Sequence, residues 1–211
     1  MHRTATAATR SLSPSKRGRN REVLERIKNA AFELFSEQGY DRTSVDDIAE
    51  RAGISRRTFF RYCPTKAEAL WADTKSRLLD FTDHLERSDK EAALLDTILA
   101  AYLETVFNDD ILFVRARLQL LHDTPHTASL RWAIYADYER VIADFVAERS
   151  GQSPNAAFPR TLAHCIIAAI RAANLAWLED GGQRDWKDYV NETFDYLRHG
   201  FVRPQEGMER K

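Results

Sequence analysis

The sequence predicts an all-α protein of about nine helices, and three observations support this. The 211 residues include only 8 glycines and 6 prolines, and residues 65–124, 126–150 and 160–180 contain neither. Stretches that long leave little room for the tight turns of an antiparallel sheet. Apolar residues recur at intervals of three and four, as in helices with one buried face, and no stretch alternates as a strand does.

The first predicted helix ends at Gly39, which suits the left-handed conformation that follows many helices. Its apolar stripe consists of Leu24, Ile27, Ala31, Leu34 and Phe35. Ser44 and Asp47 have the spacing of a capping box, which predicts a second, short helix through Arg51.

The third predicted helix runs from about Ser55 to Tyr62 and must stop before Pro64. It is separated from the second helix by a tight turn in which Gly53 can take a positive φ. Two short helices joined in this way are typical of a helix-turn-helix, whose second helix enters the DNA major groove. A small core is expected from Val45, Ile48, Ile54 and Phe59.

Longer helices are predicted beyond this motif. Thr65 and Glu68 have capping-box spacing, which predicts one long helix over residues 65–86. Further helices are predicted at residues 90–108, 110–123, 126–150, 158–179 and 185–201.

Charge is divided unevenly along the chain, although the total is only −1. Residues 1–66 hold 14 Lys and Arg against 8 Asp and Glu, a net of +6, whereas residues 67–211 hold 17 against 24, a net of −7. This division favours a polyanion-binding module joined to an acidic body. A solvated basic tail would explain part of the same asymmetry.

Several function classes are not expected. Cys63 and Cys165 are too few for a disulfide framework or a zinc cluster, which suits the cytoplasm. There is no unbroken apolar run of about 18 residues and no N-terminal apolar signal, so we expect neither a membrane span nor secretion. His122 and His126 have a metal-like spacing, but Pro125 disfavours a helix there, so no metal site is expected. No phosphate-binding loop or nucleophile–base pair indicates an enzyme or a cofactor.

The third helix carries the candidate DNA contacts. Its first turn, the part of a recognition helix that meets base edges, holds Ser55, Arg56, Arg57 and Thr58. Arginine can read guanine O6 and N7 bidentately. Arg61 and Tyr62 suit phosphates, and Lys66 begins the next predicted helix, where free backbone N–H groups favour an anion. An arginine-rich solvated helix face is the alternative.

A basic arm precedes the first helix, with Arg17 and Arg19 as its candidate DNA contacts. It contains Arg10, Lys16, Arg17, Arg19 and Arg21, with no acid among them before Glu22. Such arms can enter a minor groove. A tail that adds only nonspecific attraction is the alternative.

Residues 22–70 resemble the DNA-binding domain of the TetR family of transcriptional regulators. The matching elements are Gly39-Tyr40, Thr43-Ser44-Val45, Ile48-Ala49, Ala52-Gly53-Ile54-Ser55 and Lys66. The resemblance implies that Thr43 and Ser44 contact phosphates, that Arg56, Arg57 and Thr58 face bases, and that Tyr62 and Lys66 hold the DNA backbone. Phe60 stands where the family usually has Tyr, which removes one phosphate hydrogen bond, and Cys63 replaces a usual Phe.

The acidic body holds polar residues within an apolar helix, residues 158–179. His164, Arg171 and Asn174 either line a ligand cavity or bond across a dimer seam, since polar groups in such a helix need partners if buried. The candidate ligand-binding residues are Tyr102, Phe113, Arg117, Trp132, Tyr135, His164, Arg171 and Asn174. The TetR resemblance implies that the last two helices pair with those of a second copy. The candidate dimer residues are Ile166, Ala169, Ile170, Ala173, Trp177, Tyr189, Phe194 and Leu197.

The run RARLQLLHDTPH at residues 115–126 looks like the C-terminal domain of an actinobacterial subgroup, which includes mycofactocin-system regulators. That resemblance implies an acyl-CoA-like or other hydrophobic effector. The expected protein is a homodimeric, ligand-released repressor on a palindromic operator. A constitutive DNA-binding dimer without a ligand is the alternative. The expected organisation is a flexible arm at 1–20, a DNA-binding domain at 21–66, a ligand-binding and dimerisation domain at 67–203 and a disordered tail at 204–211.

Overall fold

The computed structural model describes residues 14–106, 111–123 and 127–200. Within these ranges it contains nine α-helices, one 3-10 turn and no strand, so the all-α prediction is confirmed. The chain divides into two compact units, and the boundary along the sequence falls between Asp73 and Thr74. The predicted tail at 204–211 and residues 1–13 of the predicted arm lie outside the described residues.

The first unit contains three α-helices and the 3-10 turn. These are α1 (Pro14–Gln38), α2 (Val45–Arg51), α3 (Arg56–Tyr62) and the turn Ala67–Trp71. Its buried core includes Ile27, Leu34, Ile48, Phe59 and Leu70. Two of the four predicted core residues, Ile48 and Phe59, are therefore fully buried, while Val45 and Ile54 are only partly so.

Helix α1 begins at Pro14, earlier than expected. The boundary of a flexible arm at residue 20 is therefore wrong, because Arg17 and Arg19 belong to a helix. Proline is tolerated in the first turn of a helix, because backbone N–H groups there make no hydrogen bond within the helix. The Lys and Arg that follow are good helix formers.

The caps of the first unit agree with the local predictions. Ser44 and Asp47 form the predicted capping box at the start of α2. Gly39 and Gly53 have φ values of 85° and 63°, so both take the left-handed conformation expected of them. Ser55 caps α3 by accepting a hydrogen bond from the Thr58 N–H at 3.1 Å.

The predicted long helix over residues 65–86 is wrong. The chain forms the 3-10 turn, whose preceding residue, Lys66, makes no side-chain cap. A separate helix, α4 (Thr74–Arg87), then begins. Thr65 bonds to Glu68 through their side chains at 3.0 Å, so this pair does not cap backbone N–H groups.

The second unit is a bundle of six helices. They are α4, α5 (Leu94–Val106), α6 (Ile111–Asp123), α7 (Ala128–Ser150), α8 (Ala157–Glu179) and α9 (Trp186–His199). Helix α8 packs between α7 and α9 and also contacts α6, while α4 packs on α5 and α7. The core is continuous across the bundle and includes Phe81, Ile98, Ile142, Ile166, Trp186 and Phe194.

Helix α8 has apolar residues on two different faces. One face supplies six buried apolar residues to the core, among them Ile166, Ile170 and Trp177. Another stays exposed or half-exposed and carries Phe158, Thr161, Cys165, Ala168, Ala172, Leu175 and Ala176, at helical spacings of three and four. By length and composition alone, α8 is the one helix among the described residues that is long and apolar enough to cross a membrane. A buried core helix passes the same test, so this is weak evidence for a membrane.

Candidate functional site

Helix α3 presents an exposed basic surface at the end of the turn that contains Gly53. Capping by Ser55 fixes where the helix starts, so the side chains of its first turn project from a defined position. Arg56, Arg57 and Arg61 are all exposed. Their fork-shaped guanidinium groups can meet base edges or phosphates from such a surface.

Arg56 is held by two neighbours. Its Nη1 contacts the Oδ2 of Asp46 in the first turn of α2. Its guanidinium carbon lies 5.3 Å from the centroid of the Phe60 ring, one turn further along α3. Phe60 itself is 42% exposed, so its ring and the Arg56 guanidinium share the same exposed surface.

Thr43 is not available to DNA through its side chain. It is buried, and its Oγ1 donates to the Gly39 carbonyl at 2.9 Å. The predicted phosphate contact of Thr43 is therefore wrong, because a hydroxyl in this loop has a backbone carbonyl within reach. Ser44 is exposed, but its Oγ is used to cap α2.

Lys66 and Tyr62, two of the expected DNA-backbone contacts, make internal hydrogen bonds within the first unit. The ammonium of Lys66 donates to the carbonyls of Tyr40 and Thr43 at 2.7 and 2.9 Å and lies 4.1 Å from the Tyr40 ring centroid. The hydroxyl of Tyr62 donates to the side-chain oxygen of Asn20 in α1 at 2.8 Å. Both residues therefore tie the motif to the rest of its unit.

A cleft of about 120 Å³ lies between α6, α7 and α8 in the second unit. Three predicted ligand residues line it, Tyr135, Arg171 and Asn174. The lining residues that were missed are Leu118, Leu121, His122, Arg131, Leu175 and Leu178. Positions 118, 121 and 122 share one helical face with the spacing of three and four, as do 171, 174, 175 and 178, so that spacing could have identified them.

The guanidinium of Arg171 stacks between two aromatic side chains of α7. It lies 5.4 Å from the ring centroid of Trp132 and 5.5 Å from that of Tyr135. Such contacts are stabilising and leave the N–H edges of the group able to donate. Trp132 is exposed and does not line the cleft, so its predicted contact with a ligand is not supported.

Asn174 lies at the floor of the cleft, where its Oδ1 accepts a 2.7 Å hydrogen bond from Nε1 of Trp186. Burial raises the pKa of the Tyr102 and Tyr135 hydroxyls, and hydrogen bonding to Asn174 offsets part of that shift. Both tyrosines therefore stay neutral at physiological pH, and of the two only Tyr135 lines the cleft.

The other predicted ligand residues lie elsewhere. His164 is exposed, and its Nδ1 lies 3.2 Å from the Glu139 carboxylate of α7. Tyr102, Phe113 and Arg117 are not lining residues of the cleft, and the guanidinium of Arg117 lies 5.5 Å from the Phe113 ring centroid. The polar residues of α8 therefore have different surroundings. Arg171 and Asn174 line the cleft, while His164 is exposed beside Glu139.

The predicted dimer seam is wrong for five residues. Ile166, Ile170, Ala173, Trp177 and Phe194 are buried in the core of their own chain, so they have no surface to give to a second copy. Helical periodicity showed that this face of α8 is apolar but not which neighbour covers it. Ala169, Tyr189 and Leu197 remain partly exposed.

Among the described residues, no group of three or more His, Cys, Asp or Glu could hold a metal ion. His126 lies outside those residues.

Comparison with known proteins gives two family matches. A family described as bacterial regulatory proteins, tetR family, matches residues 27–70, and one described as the MftR C-terminal domain matches residues 91–202. A putative mycofactocin biosynthesis transcriptional regulator, MftR, of Mycobacterium tuberculosis is 35% identical over 169 residues, covering 79% of this chain and 85% of that relative.

Two solved structures share the fold. FadR of Thermus thermophilus, a TetR-family transcriptional repressor in complex with lauroyl-CoA, is 21% identical with a TM-score of 0.58, and the match covers 89% of this chain and 99% of that one. FadR of Bacillus subtilis in complex with stearoyl-CoA is 19% identical with a TM-score of 0.58, covering 84% and 99%.

Proposed function

Because the chain belongs to the TetR family of bacterial regulatory proteins, we propose that it represses transcription as a dimer bound to a palindromic operator. The family assignment makes it a helix-turn-helix transcriptional regulator. The observation that carries the DNA-reading part is the exposed surface of α3, where Arg56, Arg57 and Arg61 lie beyond a capped helix start. In this arrangement α3 enters the major groove and α2 crosses the DNA backbone.

The DNA-binding proposal is tested by a mobility-shift assay on the upstream region of the protein's own gene. Arg56→Ala should change sequence preference, whereas Arg61→Ala should weaken binding to all sequences and reduce the salt slope by about one unit. Arg160→Ala removes an exposed arginine from α8 and serves as the matched control. If Arg56→Ala and Arg61→Ala both bind like the Arg160→Ala control, α3 is not the DNA-reading element.

We place the dimer contact on the exposed apolar face of α8, because its side chains are small and Phe158 and Leu175 add exposed apolar area. A C2 dimer holds two recognition helices about 34–36 Å apart, one turn of DNA. Leu175→Asp should give a monomer in sedimentation experiments, with Arg160→Ala remaining dimeric. A wild-type chain that sediments as a monomer at micromolar concentration would overturn the dimer.

An acyl-CoA-like effector is proposed for the cleft between α6, α7 and α8. The two FadR structures hold lauroyl-CoA and stearoyl-CoA. Here Arg131 and Arg171 supply positive charge beside Leu118, Leu121 and Leu178, which suits a ligand with an anionic part and an apolar part. A cleft of about 120 Å³ is smaller than the roughly 300–1,000 Å³ of typical ligand pockets, so binding requires the cleft to widen.

The small cleft also favours the second candidate, a constitutive DNA-binding dimer with no effector. Titrating lauroyl-CoA into the protein–DNA complex distinguishes a repressor released by an effector from a constitutive DNA-binding dimer. Release requires that the ligand bind the DNA-free state more tightly, and DNA must then weaken ligand binding by the same factor. We expect lauroyl-CoA to release the wild-type protein from DNA. Release of the Arg171→Ala variant should require a higher concentration of lauroyl-CoA. Absence of release with acyl-CoAs of several chain lengths supports the constitutive dimer.

A further inference from the structure

Asp46 is an exposed acidic residue of the DNA-binding motif, beside the first residue of the recognition helix. It lies in the first turn of α2, is exposed, and has its carboxylate against Nη1 of Arg56, the first residue of α3. A carboxylate here repels DNA phosphates, so it weakens general attraction to DNA. An exposed ion pair also contributes little to folding stability. Asp46 also favours the N-terminus of α2 through the helix dipole, but that effect does not depend on contact with Arg56.

The contact does restrain Arg56. The Asp46 carboxylate holds one part of the guanidinium, and the Phe60 ring lies 5.3 Å from its carbon. An arginine has five N–H donors, so the remaining ones stay available to an acceptor. Fixing a long, flexible side chain before DNA arrives removes an entropy cost that an unrestrained arginine would meet on binding.

We propose that Asp46 is a positioning residue that directs Arg56 to guanine and keeps it from following phosphates. This rests on the proposed function, in which α3 reads bases. Guanine presents O6 and N7 as a pair of acceptors that a fixed guanidinium can meet together. Where a phosphate contact draws Arg56 away from Asp46, the lost ion pair adds a cost that the guanine contact does not carry, so the carboxylate penalises complexes on the wrong sequence more than those on the right one.

If Asp46 positions Arg56, Asp46→Asn should change DNA binding in a way that loss of a purely structural residue would not. The ratio between the affinity for the selected duplex and the affinity for the duplex without the guanine should fall about 5- to 10-fold. This is part of the discrimination that one bidentate arginine–guanine pair provides. Affinity for unrelated DNA should rise about two- to threefold, with a steeper salt dependence, because a negative charge is removed and Arg56 is freed for phosphates. Specific and nonspecific binding thus move in opposite directions.

The test begins with selection from a random-sequence duplex pool by the wild-type protein, and Arg56→Ala identifies the base pair that Arg56 reads. Fluorescence anisotropy then compares the selected duplex, the duplex with that guanine replaced, and an unrelated duplex. Glu50→Gln is the matched control, since it removes the same charge one turn further along α2. It should leave guanine discrimination unchanged, and Asp46→Glu should restore most of it.

Each outcome decides the proposal. Retained discrimination in Asp46→Asn overturns it, and so does an equal loss of affinity for all three duplexes, which would indicate a structural role. A comparable loss in Glu50→Gln also overturns it, because the effect would then be one of net charge. If wild type selects no sequence from the pool, the proposed function itself fails. Circular dichroism confirms that the variants are folded, and Asp46→Glu supplies the comparison if Asp46→Asn is not.

Discussion

Trp186 and Asn174 join the last two helices through one buried hydrogen bond, in which the indole Nε1 donates to the amide oxygen at 2.7 Å. Both side chains are buried, and Asn174 also lines the cleft. The same amide therefore supports the core on one side and forms part of the candidate ligand site on the other. Loss of this bond is expected to affect both.

Asn174→Leu should destabilise the protein by about 1–3 kcal/mol, because the Trp186 N–H is left buried without its acceptor. Trp186→Phe removes the donor, so the double variant should be less destabilised than the sum of the two single variants. The difference is expected to be about 0.5–3 kcal/mol in urea unfolding followed by circular dichroism. Strictly additive effects would show that the bond does not couple the two helices.

Lys28→Met should destabilise the first unit by about 3–5 kcal/mol, because it removes one partner of a buried ion pair. Lys28 and Asp73 are 3.1 Å apart, with side chains only 7% and 6% exposed. Lys75→Met removes an exposed lysine two residues after Asp73 in the chain and should change stability by less than about 0.5 kcal/mol. Urea unfolding measures both variants, and similar values for the two would contradict a structural role for the pair.

Lys66→Ala should lower stability and DNA affinity together. Its bonds to the Tyr40 and Thr43 carbonyls involve a charged donor, and such bonds contribute about 1.5–3 kcal/mol. Arg61→Ala should lower DNA affinity only, because Arg61 is exposed and its guanidinium stacks on its neighbour Tyr62. Thermal unfolding beside anisotropy titration separates the two effects. A stable Lys66→Ala protein with weak DNA binding would restore Lys66 as a phosphate contact.

The two cysteines should differ in reactivity. Burial, reinforced by the charge of Glu68, raises the pKa of the Cys63 thiol to about 12. A thiol-specific reagent at pH 8 should therefore label Cys165, which is partly exposed, and reach Cys63 only after unfolding. Rapid labelling of both thiols in the folded protein would contradict the burial of Cys63.

The Cys63 pKa also has a consequence for stability. The unfolded thiol ionises near pH 9, while the folded thiol stays neutral up to about pH 12. The contribution of the neutral Cys63 thiol to the free energy of unfolding is therefore complete below pH 9 and is lost as the pH rises towards 12. Urea unfolding between pH 8 and 11 should show a steeper loss for wild type than for Cys63→Ala. Parallel pH profiles would contradict this shift.

Local signals predicted the DNA-binding motif well. The capping box of Ser44 and Asp47 and the positive φ of Gly39 and Gly53 depend on residues within a few positions, so the sequence is sufficient to identify them. The capping box expected at Thr65 failed because the chain forms a 3-10 turn there. In the same segment, the distant residue Lys28 binds Asp73 just after the turn, a contact that spacing along the chain cannot reveal.

Contacts between helices were predicted less well, for a related reason. Periodicity identified an apolar side of α8 but could not tell a neighbour in the same chain from one in a second copy, so core residues such as Ile166 were placed at a seam. The prediction that Thr43 contacts DNA failed for the same reason. The sequence pattern does not show that the Thr43 hydroxyl donates a hydrogen bond to the Gly39 carbonyl.

Helix α8, with one face in the core and a second apolar face at the surface, links folding to the amount of protein present. If the exposed face is covered by a second copy, association adds mass-action stabilisation to every folded chain. The melting temperature then rises with protein concentration, and dilution alone weakens the fold. A cell that makes little of this regulator would hold it nearer to its folding threshold than one that makes much.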